Sequence, residues 1–422
     1  MRAYVEKINI EKHELKVLKA MCNESRRLYN SALYQVRRYY KENDKAYLSY
    51  PKVDKLMRET HSHIYKRLPS QVAQNTERKL HQDYKSFFGL LKLKNEGKYD
   101  AKVRPPKYKK DRGLFSLYFG TRTFVRKGDL VQLTVSKYHR NIFGTRFLYI
   151  PFPKHLNGHS LKEIEVVPKG YGRFESHFKY DTPIYGPFQK LARKGSLSID
   201  LGISNLASCI STKGDAFLIK GLKLKSINRF WNKMRADLVS KKDREKNTIQ
   251  KMRFEHDIAQ LTFKRNRQVK DFLHKASYQI VEYAVRECLE SIVIGKNVGW
   301  KDSINIGKKN NQTFVQIPHA KLIEYISYKA KKHGIKVVEQ EESYTSKCDS
   351  LALEGIKKHV KYLGKRTRRG LYRSSTGVVL NADVNGAINI LRKSKKSKRE
   401  SKLLAEITCM GRVFRPWHLA VS

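Results

Sequence analysis

The chain has 422 residues, more than one compact core usually holds, so two or more domains are expected. Its 88 Lys and Arg residues face only 39 Asp and Glu, which gives a formal net charge of +49 at pH 7. A charge of this size repels itself strongly unless an anionic partner neutralises it, and nucleic acid is the expected partner. The charge is spread along the chain and is not gathered on one amphipathic helix, which disfavours a membrane surface as the partner.

The cysteines and the apolar runs indicate the compartment. The five cysteines form no CxxC pair and have no close, even spacing, so they predict neither a disulfide framework nor a zinc knuckle. No run approaches the roughly 18 apolar residues of a membrane span, and the N-terminus lacks the apolar segment of a signal peptide. The sequence therefore predicts a reduced, cytoplasmic protein. The nucleic-acid partner expected from its charge would associate it with the nucleoid when it is engaged on DNA.

The first half of the chain predicts a helical block and a small β-domain. Residues 3–10 predict a strand, and apolar residues at helical spacing follow from about Glu11. A second helix is predicted to begin at Pro69-Ser70, and the proline-containing basic segment 104–113 ends the block. From 114 to about 185, short alternating runs broken by Gly and Asn-Gly indicate a small antiparallel domain or barrel, to which the N-terminal strand is expected to belong.

The second half predicts an α/β domain built around one carboxylate. An apolar run from Ser196 ends on Asp200, turns through Gly202 and resumes, which predicts a β-hairpin with an acid on a central strand. Aspartate is depleted inside such runs, so a functional role is favoured over an ordinary surface acid. The elements expected next are a strand at 216–219, a long charged helical region at about 225–290, a strand at 291–294, a helix at about 318–333 and a strand at 335–340.

Carboxylates at three places in this series of strands and helices are expected to lie close together in the folded domain. Asp200 lies on the first strand, Glu341 or Glu342 follows the last strand, and Asp383 lies in the first turn of a helix. Hydrolysis of a phosphodiester with two divalent ions needs several carboxylates that hold the ions about 3.5 to 4 Å apart. The competing interpretation is structural: Asp383 caps its helix, and both glutamates are solvated at a strand end.

Five motifs follow one another in the second half: Ser198-Ile199-Asp200-Leu201-Gly202; Ile292-Val293-Ile294-Gly295-Lys296-Asn297 with Trp300-Lys301; Gln316-Ile317-Pro318-His319; Glu341-Glu342-Ser343-Tyr344-Thr345-Ser346-Lys347; and Asn381-Ala382-Asp383-Val384-Asn385-Gly386-Ala387. They resemble the split RuvC-type nuclease motifs of the TnpB family. These transposon-encoded, RNA-guided DNA nucleases are similar to the ancestors of type V CRISPR effectors. The resemblance is specific from about residue 195 to 395 and extends only to the architecture before that.

The resemblance implies an α+β multidomain fold in five parts. These are an N-terminal β-barrel-like wedge domain (1–12 and 114–190), a helical recognition lobe that interrupts it (13–113), an α/β RNase H-like (RuvC) nuclease domain (191–343 and 376–395), an inserted basic target-strand module resembling a degenerate zinc ribbon (344–375) and a basic C-terminal tail (396–422).

The chain departs from the family pattern at two places. The family's usual second acid follows the strand that corresponds to residues 292–294, where this chain has Gly295. Some relatives resemble this chain in carrying a displaced glutamate before the later Thr-Ser, which corresponds to Glu342. Glu341 is the near alternative, and Glu324 and Asp302 are more distant ones. Many relatives carry a four-cysteine zinc ribbon in the inserted module, and only Cys348 remains here, so structural zinc is not expected.

The resemblance implies a Mg-dependent endodeoxyribonuclease that binds a structured guide RNA and cleaves double-stranded target DNA next to a short flanking motif. Asp200, Glu342 and Asp383 are then the catalytic residues and the ligands of two Mg²⁺ ions. The protein is expected to act as a monomer in complex with RNA. A nuclease-dead relative that binds guided DNA and represses transcription is the alternative. An RNA-free transposase or helix-turn-helix protein explains the charge but not the ordered acidic motifs.

Overall fold

The computed structural model describes residues 2–44, 46–110, 113–181, 193–296, 316–368, 370–395, 407–408 and 411–421. The chain divides into an N-terminal unit, Met1–Tyr185, and a C-terminal unit, Gly186–Ser422. Asp302, the most distant alternative ligand, and the Trp300-Lys301 pair lie outside the described residues, as does most of the tail at 396–422. Both units contain helices and strands, so the fold is mixed α/β and multidomain.

The N-terminal unit begins and ends with strands that flank a run of helices. Its helices are α1 (Lys12–Glu42), α2 (Tyr50–Thr60), α3 (Ser62–Tyr65), α4 (Ser70–Asn95) and α5 (Lys137–Phe143). Its strands are β1 (Arg2–Lys7), β2 (Leu117–Gly120), β3 (Phe124–Lys127), β4 (Leu130–Thr134), β5 (Phe147–Pro151), β6 (Leu161–Pro168) and β7 (Phe174–Tyr180).

These strands form two antiparallel sheets, in the orders β1-β7-β6-β2 and β3-β4-β5. β1 pairs with β7 along its whole length, so that Tyr4 lies opposite Phe178. The N-terminal strand therefore belongs to the β-domain that follows the helices, as the sequence predicts. Alternate residues of β7 are buried, which is the pattern of a sheet with one face on a core.

The long helices α1 and α4 pack together through apolar and polar contacts. Leu28 and Leu80 are buried in their shared core. The Ser25 and Thr76 hydroxyls lie 3.2 Å apart, and the Tyr29 hydroxyl donates to Asp83 at 2.8 Å. Buried hydroxyls with partners cost little, so these bonds fix how α1 sits against α4.

Glu77 on α4 is the exception in this core. It is 1% exposed, and neither carboxylate oxygen has a hydrogen-bond partner among the described residues. Burial raises its pKa to about 8, although the Arg58 charge acts in the opposite direction. An unfolded glutamate titrates near pH 4.3, so between about pH 4.3 and 8 the folded state holds a proton that the unfolded state has released. The stability contributed by this site therefore falls as pH rises through that window.

We expect Glu77→Gln to remove most of this pH dependence. The parent should lose about 3 kcal/mol of unfolding free energy between pH 5 and 8 from this site, because one pKa unit corresponds to about 1.36 kcal/mol. Calorimetric unfolding of the full chain across this pH range measures the difference. Glu59→Gln, which changes an exposed glutamate on α2, is the control and should follow the parent. Equal pH profiles for the parent and Glu77→Gln would contradict the prediction.

The C-terminal unit carries nine described strands and four described helices. Its strands are β8 (Ser196–Leu201), β9 (Asn205–Ser211), β10 (Ala216–Lys220), β11 (Ser291–Gly295), β12 (Lys336–Gln340), β13 (Lys365–Arg368), β14 (Leu371–Arg373), β15 (Val379–Asn381) and β16 (Trp417–His418). Its helices are α6 (Leu222–Arg244), α7 (Thr248–Arg286), α8 (His319–Lys332) and α9 (Ala382–Lys395).

Six strands form the central sheet in the order β12-β11-β8-β9-β10-β16. β8, β9 and β10 are antiparallel neighbours, whereas β11 runs parallel to both β8 and β12. Each face of this sheet is covered by different helices. Leu197 and Ile199 of β8 pack with α7 and α8, whereas Ile210 and Val293 pack with α9. Side chains alternate along a strand, so Ser198 and Asp200 point to the α9 face.

The helical region expected at about 225–290 is two helices and not one. α6 ends at Arg244 and α7 begins at Thr248, with a short turn between them. The Asn247 side chain accepts hydrogen bonds from the amides of Ile249 and Gln250, at 2.8 and 3.2 Å. Asparagine is a strong N-cap residue, and this cap starts a new helix where composition alone shows no break.

The inserted segment forms a second, three-stranded sheet, β13-β14-β15. Buried carboxylates hold its turns. Asp349 accepts from the amides of Leu351 and Ser375, at 3.1 and 2.7 Å, and from the Ser374 hydroxyl at 2.9 Å. Glu354 accepts from the Asp349 amide at 2.6 Å. Hydrogen bonds to charged acceptors are stronger than neutral ones, so these two acids stabilise the loops of the segment.

Candidate active site

Asp200 lies on the central strand β8 and faces α9. Two neighbouring contacts fix the distance between this strand and the helix. The Ser198 hydroxyl donates to the Ala387 carbonyl of α9 at 2.7 Å. A Cβ atom added to Gly386 would lie 2.6 Å from Oδ2 of Asp200, closer than real atoms approach. Glycine at position 386 therefore lets the helix backbone come directly against the Asp200 carboxylate.

Glu341 and Glu342 follow β12, which ends at Gln340, and their side chains go to different places. The exposed Glu341 pairs with Lys393 and accepts a hydrogen bond from the Ser343 amide. The half-buried Glu342 approaches Gly295 so closely that a Cβ atom there would collide with Glu342 Oε2. The Glu342 carboxylate thus lies at the end of β11, beside the position of the family's usual second acid.

The backbone after Glu342 is held by α9. Tyr344 has a φ of 65°, a left-handed conformation that is uncommon for a large side chain. The buried Asn389 of α9 donates to the carbonyls of Thr345 and Cys348, at 2.9 and 2.7 Å. Backbone strain persists only where the surroundings impose it, and here these hydrogen bonds fix the turn that carries Glu342.

Asp383 lies in the first turn of α9, as the sequence predicts. The helix is capped by Asn381, whose side chain accepts from the Asp383 amide at 2.9 Å. The cap is therefore Asn381, and the Asp383 carboxylate has other partners. Asn205 donates to its Oδ2 at 2.8 Å, and the Arg366 guanidinium lies 3.6 Å from its Oδ1.

The charges of Glu342 and Asp383 both act on Asp200. Burial, followed by the charges of Glu342 and Asp383, raises the pKa of Asp200 well above its usual value, and Arg366 lowers it. Burial, followed by the charge of Glu341, raises the pKa of Glu342 to about 7. The hydrogen bond from Lys393 is the main cause that lowers the pKa of Glu341. Carboxylates with such raised pKa values are typical of functional sites, whereas Glu341 resembles a paired surface acid.

The donor chemistry of this cluster suits Mg²⁺, which prefers oxygen ligands and retains several waters. Gly295 leaves space beside the Glu342 carboxylate, and Gly386 leaves space beside the Asp200 carboxylate. Any side chain at position 295 or 386 would occupy that space. Within the part of the chain that the structure describes, no three Asp, Glu, His or Cys side chains are grouped closely enough to hold one metal ion. The Asp383 carboxylate faces Asn205 and Arg366 in this arrangement.

The alternative ligands are placed elsewhere. Glu324 is exposed on α8, which packs on the opposite face of the sheet from α9. Asp302 lies outside the described residues. No sequence signal points to Asn205 or Arg366 as partners of Asp383, because a polar residue at the start of a strand and an arginine in a basic run have no spacing that links them to an acid far along the chain.

A basic groove adjoins Asp383. It has a volume of about 630 Å³ and is lined by residues of β13, β14 and β15, including Lys365, Arg366, Arg368 and Arg373. Arg366 is the contact between this groove and Asp383. Four cations in one groove form a site for a polyanion. Among the described helices, none is long and apolar enough to cross a membrane.

Two family models match the C-terminal unit and the residues before it. A model described as a probable transposase (OrfB_IS605) matches residues 180–301, and a model of the Cas12f1-like TNB domain matches residues 319–390. The TnpB-like protein ORF457 of Acidianus two-tailed virus is 25% identical over 414 residues, which cover 89% of this chain and 83% of that protein.

The fold is shared with the protein of a solved Cas12f1–sgRNA–target DNA complex. The TM-score is 0.58 at 15% identity, over 90% of this chain and 83% of that chain. At an identity this low, the match shows a likeness of fold alone. The similarity to the family rests on the ordered motifs and the two family models. Together these matches show that the chain is similar to proteins of the TnpB family.

Proposed function

We propose that the protein is an RNA-guided DNA endonuclease of a transposon that hydrolyses phosphodiesters with two Mg²⁺ ions held by Asp200, Glu342 and Asp383. The observation that carries this proposal is the buried Asp200 carboxylate on the central strand, whose pKa is raised by burial and by the charges of both Glu342 and Asp383. Asp200 lies on a central strand, Glu342 follows the end of another strand, and Asp383 lies in the first turn of a helix, so three elements supply the proposed ligands. Repulsion of this kind is costly unless cations offset it, which favours a metal site over a structural cluster.

Asp200 and Glu342 would hold Mg²⁺ through oxygen ligands from the end of the sheet, and Asp383 would supply one from α9. The ions would supply activation of the attacking water and charge stabilisation at the leaving 3′ oxygen. Gly386 keeps α9 close to Asp200, and Asn389 holds the turn that carries Glu342. The basic groove beside Asp383 orients a phosphate backbone toward the acids.

The proposed partners are a structured guide RNA and double-stranded target DNA. The formal charge of +49 requires a large polyanion, and the solved relative is a complex with an sgRNA and target DNA. In the N-terminal unit, arginines lie over tyrosine rings, such as Arg37 over Tyr108 at 4.7 Å and Arg78 over Tyr50 at 5.2 Å. Partly exposed pairs of this type suit contacts with bases and phosphates.

The domain assignment belongs to the same proposal. We assign the sheets of the N-terminal unit to a barrel-like wedge domain and the helices α1 to α4 to a recognition lobe. The six-stranded sheet with α9 corresponds to an RNase H-like, RuvC-type nuclease domain. The sheet β13-β14-β15 corresponds to the inserted target-strand module, with the boundaries given by the sequence motifs.

We expect the protein to copurify with RNA from its own locus and to cleave DNA that matches that RNA. The reason is the charge, which leaves the free chain strongly self-repelling. Sequencing the copurified RNA and testing cleavage of matched and mismatched duplexes in Mg²⁺ is the measurement. Reprogramming the guide segment should redirect the cleavage. Nuclease-treated, salt-washed protein that stays monodisperse and shows no preference for its own RNA would contradict the proposal.

The same experiment separates the alternative functions. Guided DNA binding without cleavage in Mg²⁺ would indicate the nuclease-dead repressor. DNA binding that needs no RNA would indicate a transposase or helix-turn-helix protein.

A further inference from the structure

Asn205 connects the motifs that carry Asp200 and Asp383, although it lies in neither motif. It begins β9, immediately after the turn that follows Asp200. Its side-chain amide donates to Oδ2 of Asp383 at 2.8 Å, across 178 residues of sequence. A single side chain thus links the hairpin that carries one acid to the helix that carries another.

The turn from Gly202 to Asn205 is held in place by three hydrogen bonds. Nε2 of the buried His319 donates to the Gly202 carbonyl at 2.9 Å. The Gly221 amide donates to the Ser204 carbonyl at 2.8 Å, and Nζ of Lys225 donates to the Ser204 hydroxyl at 2.8 Å. A Cβ atom on Gly202 would lie 2.6 Å from the Asn205 carbonyl, so the turn is as tight as glycine permits.

These hydrogen bonds fix the position of the backbone from which the Asn205 side chain extends. A donor on a mobile loop loses conformational entropy each time it orders an acceptor, whereas this donor is already in place. The Asp383 carboxylate has one oxygen bound by the amide, while the other faces a positive charge, the Arg366 guanidinium at 3.6 Å. The amide therefore selects which oxygen of Asp383 is turned toward a cation.

We propose that Asn205 is a positioning residue for Asp383: its amide holds Oδ2 so that Oδ1 is presented to a divalent cation at the acidic cluster. This inference rests on the proposed function, because it assigns Asn205 a role toward the proposed metal ligand. Groups that orient metal ligands by hydrogen bonding commonly change metal affinity or activity by about 10- to 100-fold when they are removed.

Binding of Mn²⁺ to the full-length protein with its copurified RNA, followed by EPR and corrected for the Mn²⁺ that this RNA binds alone, tests the inference. The parent should bind Mn²⁺, and Asp200→Ala should lose that binding. Asn205→Ala should weaken it about 10-fold. In guided cleavage, Asn205→Ala should raise the half-saturating Mg²⁺ concentration by a similar factor, while excess Mg²⁺ restores most of the maximal rate. A purely structural loss would lower the rate at every Mg²⁺ concentration.

Asn232→Ala is the matched control. This substitution removes a side-chain amide of the same type, but one that forms two hydrogen bonds with Gln316, at 3.1 and 2.8 Å, and none with the acids. It should leave both metal responses unchanged. If Asn205→Ala unfolds in EDTA at a lower temperature than Asn232→Ala, Asn205→Ser, with a side chain too short to bridge to Asp383, replaces it.

The outcomes separate the two proposals. Metal affinity in Asn205→Ala that equals the parent's, or that falls equally in Asn232→Ala, overturns the positioning role and leaves the proposed function standing. A parent that binds no Mn²⁺ in an Asp200-dependent manner overturns the proposed function, and the positioning role with it.

Discussion

Replacing Asp200 by alanine is expected to abolish guided DNA cleavage, with a loss of about 1,000-fold or more. A two-metal site supplies several kcal/mol of charge stabilisation to the transition state, and each 1.36 kcal/mol corresponds to a factor of ten. Asp200 is the acid whose pKa responds to both Glu342 and Asp383, so its removal disrupts the centre of the cluster. Asp383→Ala should have an effect of the same order.

Guided DNA binding should survive in Asp200→Ala, because phosphate contacts position the nucleic acid independently of the metal ligands. Gel-shift titration of matched DNA, run beside a cleavage assay in Mg²⁺, separates binding from hydrolysis. Asp237→Ala is the control, since Asp237 is an exposed acid on α6 that pairs with Lys241. Cleavage by Asp200→Ala at a rate near that of the parent would rule out the assigned site.

A second variant at this position excludes unfolding as the cause. Burial and the neighbouring carboxylates raise the pKa of Asp200, so the ionised group destabilises the metal-free protein at neutral pH. Asp200→Asn keeps the shape of the side chain and removes the charge. We expect it to be inactive and at least as stable as the parent in EDTA, measured by thermal unfolding.

The sequence predicts the elements of the site better than its contacts. The strand that ends on Asp200 and the helix that begins near Asp383 follow from local patterns, because apolar alternation and a capping asparagine act over a few residues. Their meeting depends on the order of strands in the sheet. β11 pairs with both β8 and β12, which brings the end of β12 near Asp200.

The choice between Glu341 and Glu342 could not follow from strand alternation. That argument requires a regular strand up to both glutamates, and β12 ends at Gln340. The direction of each side chain is set by distant partners instead, Lys393 for Glu341 and the open space at Gly295 for Glu342. Similarly, the break between α6 and α7 depends on the Asn247 cap within an otherwise uninterrupted charged region.

Glu342→Ala is expected to cleave matched DNA about 1,000-fold more slowly than the parent, and Glu341→Ala at a similar rate to the parent. Glu342 lies against Gly295 in the cluster, whereas the exposed Glu341 is neutralised by Lys393. The two variants change the same residue type at adjacent positions, so each is the other's matched control. An inactive Glu341→Ala beside an active Glu342→Ala would move the assignment by one residue.

Gly295 provides a more stringent test of the same assignment. An added Cβ would collide with the Glu342 carboxylate and with Ile390, and the flexible carboxylate is the group that yields. Displacement of a reacting group by about 1 Å can cost about 100-fold, so Gly295→Ala should lower cleavage by that order and leave guided binding intact. Moving the acid back, as Gly295→Asp combined with Glu342→Gly, should recover part of the activity, because an ideal Cβ at position 295 lies against Glu342 Oε2, within reach of an aspartate carboxylate. Parent-like cleavage by Gly295→Ala, together with an inactive double variant, would show that the carboxylate at this position is not Glu342.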